Sequence, residues 1–184
     1  MAARYDTPER AQVTAVIAGA IRGQVADMTD KTAVDYGCGT GLVGLQLADC
    51  FQSLLLVDAA PNMIAQVRGK IRAGQIPNAH VLCADFSAEL PSKLSADAIF
   101  MAQVLLHIPD TETILRQLYR LLKPGGILLV VDFDKEESIT SDKVHNGFDQ
   151  RELIGLVQRI GYRGATVHTF YHGKNIFMKR DASL

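Results

Sequence analysis

The sequence predicts an α/β fold in which a doubly wound, mainly parallel sheet of seven strands ends in a C-terminal antiparallel hairpin. Five short apolar segments alternate with segments whose apolar residues recur at helical spacing, a pattern typical of right-handed crossovers between parallel strands. Two later strand-like segments are joined by the tight turn Tyr171-His172-Gly173-Lys174, which indicates a hairpin. A length of 184 residues suits one domain with a full core.

The strands are recognised as short apolar runs with polar or turn-forming residues at their ends. The run that ends in Asp58 is continuously apolar, as expected for a central parallel strand buried on both faces. The predicted strands cover residues 31–36, 54–58, 79–84, 96–101, 127–132, 165–170 and 175–179.

The helices are predicted from capping residues and apolar periodicity. Thr7-Pro8-Glu9 supplies a capping threonine, a proline at the first helical position and an acid in the first turn. Asp149-Gln150-Arg151-Glu152 has the pattern of a capping box, and its helix is expected to end near Gly161. Further helices are predicted within residues 42–48, from residue 61 and after residue 110.

Composition and charge limit the class of protein. Lys plus Arg number 19 and Asp plus Glu number 20, so the formal charge of −1 predicts no general attraction to nucleic acid or an anionic membrane. The three cysteines show neither disulfide nor metal-binding spacing, which favours a reducing cytoplasm and predicts no metal. No apolar run approaches the ~20 residues of a membrane span. We therefore expect a soluble cytoplasmic protein with a small or neutral substrate.

A glycine-rich turn after the first strand is the centre of the predicted site. In the segment Asp35 to Gly41, glycine occupies every second position from Gly37, so a ligand can lie against the peptide groups. Gly39 to Gly44 also matches the dinucleotide pattern G-x-G-x-x-G, which places a pyrophosphate on the next helix. A carboxylate four residues ahead of these glycines repels a pyrophosphate and attracts an ammonium group. The turn therefore favours a ligand with a cationic end.

Aspartates follow several predicted strands. Asp35, Asp58, Asp85 and Asp132 lie at or just past strand ends, and ligands of doubly wound folds bind at that edge of the sheet. Asp58 closes an otherwise apolar run, which favours a carboxylate that accepts two vicinal ribose hydroxyls over a helix cap. For Asp85 and Asp132, a role in a turn or cap is left open.

Five motifs in this region resemble those of the class I S-adenosylmethionine-dependent methyltransferases. The first is Asp35 to Gly41, an acid followed by G-x-G-x-G. The second is Val57-Asp58-Ala59-Ala60-Pro61-Asn62-Met63, and the third is Cys83-Ala84-Asp85-Phe86. The segment 98–110 resembles the turn after the fourth strand, and 121–128 resembles the L-x-P-G-G sequence before the fifth. They follow one another in the family's order and spacing.

The resemblance implies a Rossmann-like methyltransferase fold with S-adenosyl-L-methionine as cofactor. The glycine turn would hold the methionine part, Asp58 the ribose and Asp85 the adenine amino group. Tyr36 and Ala59 depart from the family's usual residues: Tyr36 is expected in the interface between sheet and helix or near the methionine tail, and Ala59 leaves its side of the pocket open. The implied cofactor-binding residues are Asp35, Tyr36, Gly37, Cys38, Gly39, Gly41, Asp58, Ala59, Met63, Ala84, Asp85, Phe86, Gln103 and Val104.

The implied reaction is attack by an acceptor nucleophile on the sulfonium methyl, for which alignment and removal of water can suffice. A base is therefore optional. His107, just past the fourth strand, is the catalytic candidate because imidazole titrates near neutrality. The alternative is a loop histidine bonded to backbone ahead of Pro109. Tyr5, His145 and Asn146 are candidates for a lid over the site.

These features predict a methyltransferase that acts on a small-molecule acceptor, with oxygen, nitrogen, carbon and sulfur atoms all open as the methylated position. We expect one domain with an N-terminal helical segment at 1–30, a cofactor-binding core at 31–134 and a closing loop, helix and hairpin at 135–184. The N-terminal helix, nearby loops or a second subunit of a homodimer would complete the acceptor site. Two alternatives are a nicotinamide-dependent oxidoreductase and a non-catalytic, cofactor-binding partner of another protein.

Overall fold

A five-stranded sheet is the centre of the computed structural model, which describes residues 6–141, 144–178 and 180–184. Its strands are β1 (Thr32–Tyr36), β2 (Ser53–Asp58), β3 (Ala79–Cys83), β4 (Ala96–Ala102) and β5 (Leu122–Val131). They lie in the order β3-β2-β1-β4-β5, and every neighbouring pair is parallel. The direction of winding reverses between β1 and β4, which is where ligands bind in doubly wound folds.

Four α-helices connect these strands or flank them within the described part of the chain. They are α1 (Pro8–Gln24), α2 (Pro61–Gly74), α3 (Thr111–Leu121) and α4 (Gln150–Ile160). The predicted caps are confirmed, because the Thr7 side chain accepts from the amide of Arg10 and Asp149 accepts from the amides of Arg151 and Glu152. These bonds satisfy amides that have no partner inside the helix.

The segment after the glycine turn differs from the prediction. Instead of an α-helix within residues 42–48, the chain forms a 3₁₀ helix over Gly44–Cys50. The amide of Gln46 bonds to the carbonyl of Val43, three residues back, whereas the amide of Leu45 reaches Gly41, four residues back. A short connection of this kind tightens into 3₁₀ geometry because β2 begins soon after it, at Ser53.

The helices cover both faces of the sheet and give two hydrophobic clusters. One contains Ile17 and Ile21 of α1 and Ile64 of α2, packed with Leu54 and Leu56 of β2. The other contains Ile114, Leu115 and Leu118 on the apolar face of α3, packed with Val34 and Tyr36 of β1. Because side chains alternate along β1, Asp35 lies on the α1 and α2 side and Tyr36 on the α3 side.

The C-terminal hairpin is present, but the predicted single sheet of seven strands is wrong. The strands β6 (His172–Phe177) and β7 (Arg180–Ser183) form a separate antiparallel sheet of their own. The hairpin is also shifted along the chain: residues 165–170 are not a strand, and the predicted turn at 171–174 falls at the start of β6. The backbone instead reverses after Phe177, where Met178 adopts a φ of +49°.

Contacts beyond β5 explain this shift. Asp134 binds the hydroxyl of Thr169 (2.7 Å) and the amide group of Gln150 (2.7 Å), so side-chain bonds hold the segment that was predicted as a strand. The ring of Phe177 stacks on that of Phe133 with centroids 4.2 Å apart, and Ser183 accepts from the amide of Asp134 (3.0 Å). The hairpin therefore packs past the end of β5.

None of the helices in the described ranges has the length and apolar character needed to cross a membrane.

Candidate active site

A cavity of about 660 Å³ opens at the carboxyl ends of the central strands. It lies at the switch in winding between β1 and β4, and residues from the ends of β1 to β4 contribute to its wall. Eleven of the fifteen predicted site residues line it: Tyr36, Gly37, Gly39, Asp58, Ala59, Met63, Ala84, Asp85, Gln103, Val104 and His107. Tyr36 and Thr113, which are 77 positions apart in the sequence, thus line the same cavity.

The glycine turn forms one wall of the cavity and needs the glycines that it has. Gly37, Gly39 and Gly41 have φ values of +73°, +54° and +80°, which favour glycine strongly. A Cβ on Gly37 would also lie 2.5 Å from both methyl groups of Val104, so the turn packs directly against the loop after β4. Gly37 and Gly39 also line the cavity, so a ligand there can contact their peptide groups.

Asp58 links the glycine turn to the loop after β2. One oxygen of its carboxylate accepts from the amide of Gly39 (2.8 Å) and the other accepts from the amide of Ala60 (2.8 Å). Each carboxylate oxygen has a further lone pair, so two hydroxyl groups can still be bound.

Tyr36 joins the end of β1 to the loop after β3. Its ring stacks on Phe86 with centroids 5.0 Å apart, and its hydroxyl donates to Asp85 (3.3 Å). The same Asp85 oxygen accepts from the amide of Ser87 (2.8 Å), which leaves the other oxygen for a ligand. Tyr36 lies in the predicted interface of sheet and helix, and it also fixes the carboxylate expected to contact the adenine.

Four predicted cofactor residues do not line the cavity, and this corrects their place in the site. Gly41 and Cys38 belong to the far side of the glycine turn, and Phe86 is fully buried beneath Tyr36. Burial raises the pKa of the Cys38 thiol far above its usual range, and the charges of Asp35 and Asp58 act in the same direction. The thiol therefore stays protonated and unreactive.

Asp35, the fourth, is buried in the core behind the turn. Its side chain is 2% exposed, and its Oδ2 atom has no hydrogen-bond partner of normal geometry among the described residues. Burial raises its pKa to about 8, the negative charge of Asp58 adds to the shift, and the amide of Gly44 counteracts it. A Cβ on Gly44 would lie 2.2 Å from Oδ2, so this glycine makes room for the acid. A buried carboxyl group that keeps its proton at neutral pH neither repels a pyrophosphate nor attracts an ammonium group, so the charge argument made from the sequence does not apply to Asp35.

His107 lines the cavity from the short 3₁₀ turn Leu105–His107, which follows β4. Burial lowers the pKa of His107, and the positive charge of Arg10 lowers it further. The imidazole is therefore neutral at pH 7 and can accept a proton. Asp132 holds this turn, because its carboxylate accepts from the amides of Leu106 (3.1 Å) and Phe133 (2.9 Å).

The loop predicted as a lid is tied to the turn that carries His107. The amide of His145 donates to Leu106 O (2.8 Å), and its Nε2 lies 2.9 Å from Ile108 O. His145 lines a separate cleft of about 460 Å³ beside α4 rather than the main cavity, and Asn146 bonds to the backbone of Glu136. Tyr5, the other lid candidate, lies outside the described residues.

Six residues of the cavity wall were not predicted: Ala60, Ser87, Ile108, Pro109, Asp110 and Thr113. Three of them, Ala60, Ser87 and Ile108, adjoin predicted residues in the chain, and this proximity was the available signal. For Thr113 the signal was weaker and came from the predicted helix cap at Asp110. The Asp110 carboxylate accepts from the amide (2.9 Å) and the hydroxyl (2.7 Å) of Thr113, which places the start of α3 at the cavity. Within the described ranges, no cluster of three potential metal ligands occurs.

Known proteins share both the sequence pattern and this architecture. A family model described as a methyltransferase domain matches residues 28–172. An uncharacterised methyltransferase of Schizosaccharomyces pombe is 26% identical over 153 residues, which are 73% of this chain and 54% of that protein. Phosphoethanolamine N-methyltransferase 2 of Caenorhabditis elegans is 30% identical over 141 residues, which are 72% of this chain and 32% of that protein. The chain thus spans about half the length of these relatives or less.

A solved structure shows the same fold. The S-adenosylmethionine-dependent methyltransferase of Aquifex aeolicus aligns with a TM-score of 0.71 at 19% identity, over 94% of this chain and 90% of that one. The family match covers most of the chain, including every motif around the cavity. The chain therefore belongs to the class I S-adenosylmethionine-dependent methyltransferases.

Proposed function

We propose that the cavity binds S-adenosylmethionine across β1, β2 and β3 and a small-molecule acceptor at the end of β4, where His107 lies. The observation that carries this proposal is the meeting of Asp58, Asp85 and the glycine turn in one cavity that continues to His107. Asp58 would hold the ribose, Asp85 the adenine amino group, and Gly37 and Gly39 the methionine part. When bound, the cofactor supplies a methyl group on a cationic sulfur.

The charges of the cavity wall favour a neutral or cationic acceptor. Three of its described lining residues, Asp58, Asp85 and Asp110, carry carboxylates, and none is lysine or arginine. Arg10 is near enough to lower the pKa of His107, but it is not a lining residue. Asp110 is the one of these carboxylates near His107 in the chain, and a phosphate or carboxylate on the acceptor would meet its like charge. An amine or a hydroxyl compound fits this wall better, in contrast to the phosphoethanolamine in the name of the nematode relative.

Space beside His107 supports catalysis over a purely binding role. Ile108, Pro109 and Thr113 extend the wall beyond the residues assigned to the nucleoside, which leaves room for a second molecule. A neutral His107 can remove a proton from an amine or hydroxyl as it becomes methylated. Proximity of the two reactants would supply much of the acceleration in addition.

Replacement of His107 tests this role. With an acceptor identified from a metabolite screen for transferred label, we expect His107→Gln to lower kcat by about 10²- to 10⁴-fold, the range for a general base. The KM for S-adenosylmethionine should stay within about twofold, and the limb of the kcat pH profile that reports the imidazole should disappear.

The matched control is His80→Gln, since His80 is an exposed histidine of β3. It should leave kcat unchanged. A His107→Gln enzyme that keeps the wild-type kcat and pH profile would show that the reaction needs no base at this position.

We also propose a reducing, cytoplasmic setting and leave the acceptor site open to a second subunit. The reducing setting is supported by the three cysteines, which form no disulfide: Cys38 and Cys50 are buried and Cys83 is exposed. Sedimentation equilibrium of the purified chain distinguishes a monomer from a homodimer.

A further inference from the structure

A cluster of polar side chains fastens the chain ahead of α1 to the back of the glycine turn. The carboxylate of Asp6 accepts from the hydroxyl of Thr40 through one oxygen and pairs with the ammonium of Lys70 (2.7 Å) through the other. Lys70 also donates to the backbone carbonyl of Thr40 (2.7 Å). Three segments that are distant in sequence therefore meet in one closed set of contacts.

This cluster is more shielded than a surface ion pair. Thr40 is 1% exposed, and the side chains of Asp6 and Lys70 are 30% and 32% exposed. Burial alone would raise the pKa of Asp6, but hydrogen bonds from Lys70 and Thr40 and the positive charges of Lys70 and Arg10 outweigh it and lower that pKa. Charge-assisted bonds in such shielded places are stronger than exposed ones.

The cluster acts on Thr40, the residue that follows Gly39, which lines the cavity. Thr40 lies between Gly39, whose amide donates to Asp58, and Gly41, whose amide donates to Cys38 O (2.8 Å). Lys70 fixes the direction of the Thr40 carbonyl, and Asp6 fixes its side chain. The turn is thus held by Asp58 on one side and by Asp6 and Lys70 on the other.

We propose that Asp6 and Lys70 are positioning residues for cofactor binding, which hold the glycine turn in its binding conformation and couple it to the N-terminal end of α1. They are not lining residues of the cavity, so they act through Thr40 rather than by contact with the ligand. Because coupling is reciprocal, a ligand on the turn should also stabilise the start of α1. The inference rests on the proposed placement of the cofactor on this turn.

A neighbouring ion pair provides a matched control. Arg22 of α1 pairs with Asp49 (2.9 Å) in the 3₁₀ helix after the glycine turn. The side chains of this pair are 46% and 71% exposed. This pair joins the same helix to the same region of the chain without contact to Thr40. Asp49→Asn therefore removes a comparable interaction that the inference does not involve.

Calorimetric titration with S-adenosylhomocysteine tests the inference on the wild type, Asp6→Asn, Lys70→Met, the double variant and Asp49→Asn. We expect each single variant to bind about 5- to 20-fold more weakly, because one shielded charge-assisted contact is lost. The double variant should bind S-adenosylhomocysteine about as weakly as the single variant with the larger loss, because the two residues act as a unit. Asp49→Asn should bind within about twofold of wild type.

Two further readouts separate positioning from general stability. Because the contacts of Asp6 are more shielded, Asp6→Asn should lower the ligand-free free energy of unfolding more than Asp49→Asn does, but both variants should remain folded at the temperature of the titration, so weaker binding does not reflect unfolding. In wild type, S-adenosylhomocysteine should slow amide hydrogen exchange in the first turns of α1, and Lys70→Met should abolish this effect.

Binding within about twofold of wild type for both single variants, or additive effects in the double variant, would overturn the inference. Asp58→Ala distinguishes that result from a failure of the proposed site. If Asp58→Ala loses binding while Asp6→Asn and Lys70→Met keep it, the site stands and the positioning role falls. If Asp58→Ala keeps binding, the placement of the cofactor itself is wrong.

Discussion

Replacing Asp58 with alanine is expected to weaken the binding of S-adenosylhomocysteine by about 100-fold or more. The variant removes the carboxylate proposed to accept two ribose hydroxyls, and each such charge-assisted bond contributes about 1.5 to 3 kcal/mol. It also frees the amides of Gly39 and Ala60, which both bind this carboxylate at 2.8 Å. The glycine turn therefore loses an anchor together with a ligand contact.

Thermal unfolding and calorimetry measure this effect without an identified acceptor. A saturating ligand at about 100 times its Kd stabilises the wild type by about 2.7 kcal/mol, and this shift should be absent from Asp58→Ala at the same concentration. The control is Asp30→Ala, because Asp30 is an exposed acid ahead of β1, at the opposite edge of the sheet. An affinity of Asp58→Ala within about threefold of wild type would remove the ribose role from this residue.

Asp35→Asn is expected to stabilise the protein at pH 8 by roughly 3 to 6 kcal/mol and to leave it nearly unchanged at pH 4. The pKa of Asp35 is raised to about 8 in the fold, from 3.8 for the unperturbed group. Between these values the folded state keeps a proton that the unfolded state has released. Stability therefore falls as pH rises, by about 1.4 kcal/mol per pH unit for this one group. Asparagine is neutral at every pH in this range, so the variant does not lose this stability as the pH rises.

The difference in unfolding free energy between the variant and the wild type isolates Asp35 from other titrating groups. Asp132, with a pKa raised to about 7, has a slope of the same sign, and His107, with a lowered pKa, has the opposite one. Both are common to the two proteins and cancel. Urea unfolding at pH 5, 6, 7 and 8 makes the comparison, with exposed Asp49→Asn as control, whose difference should be flat. Parallel curves for Asp35→Asn and wild type would show that Asp35 is ionised in the fold.

The first five strands and most of the residues that line the cavity could be predicted from the sequence because both depend on local patterns. Buried parallel strands are apolar runs, and an acid at the end of such a run, as in Asp58, lies at the binding edge whatever the details of packing. Capping residues such as Thr7 and Asp149 similarly act within one turn of the helix that they start.

What the sequence did not show depends on contacts between distant segments. Asp35 was expected at the ligand, but alternation along β1 turns it into the core, whereas Tyr36 reaches the cavity wall. The hairpin lies further along the chain than predicted because Phe133 stacks on Phe177 and Asp134 binds Thr169. No local sequence pattern encodes these contacts. The contacts of Asp6 span 34 and 64 residues, so they too are visible only in the fold.

A crystal structure of the complex with S-adenosylhomocysteine tests the central claim most directly. We expect the ribose hydroxyls at hydrogen-bonding distance from Asp58, the adenine amino group beside Asp85, and the homocysteine arm against the backbone of Gly37 and Gly39. The sulfur should then point along the cavity toward His107. A ligand that binds in the cleft beside α4, or that leaves Asp58 without a contact, would contradict this account.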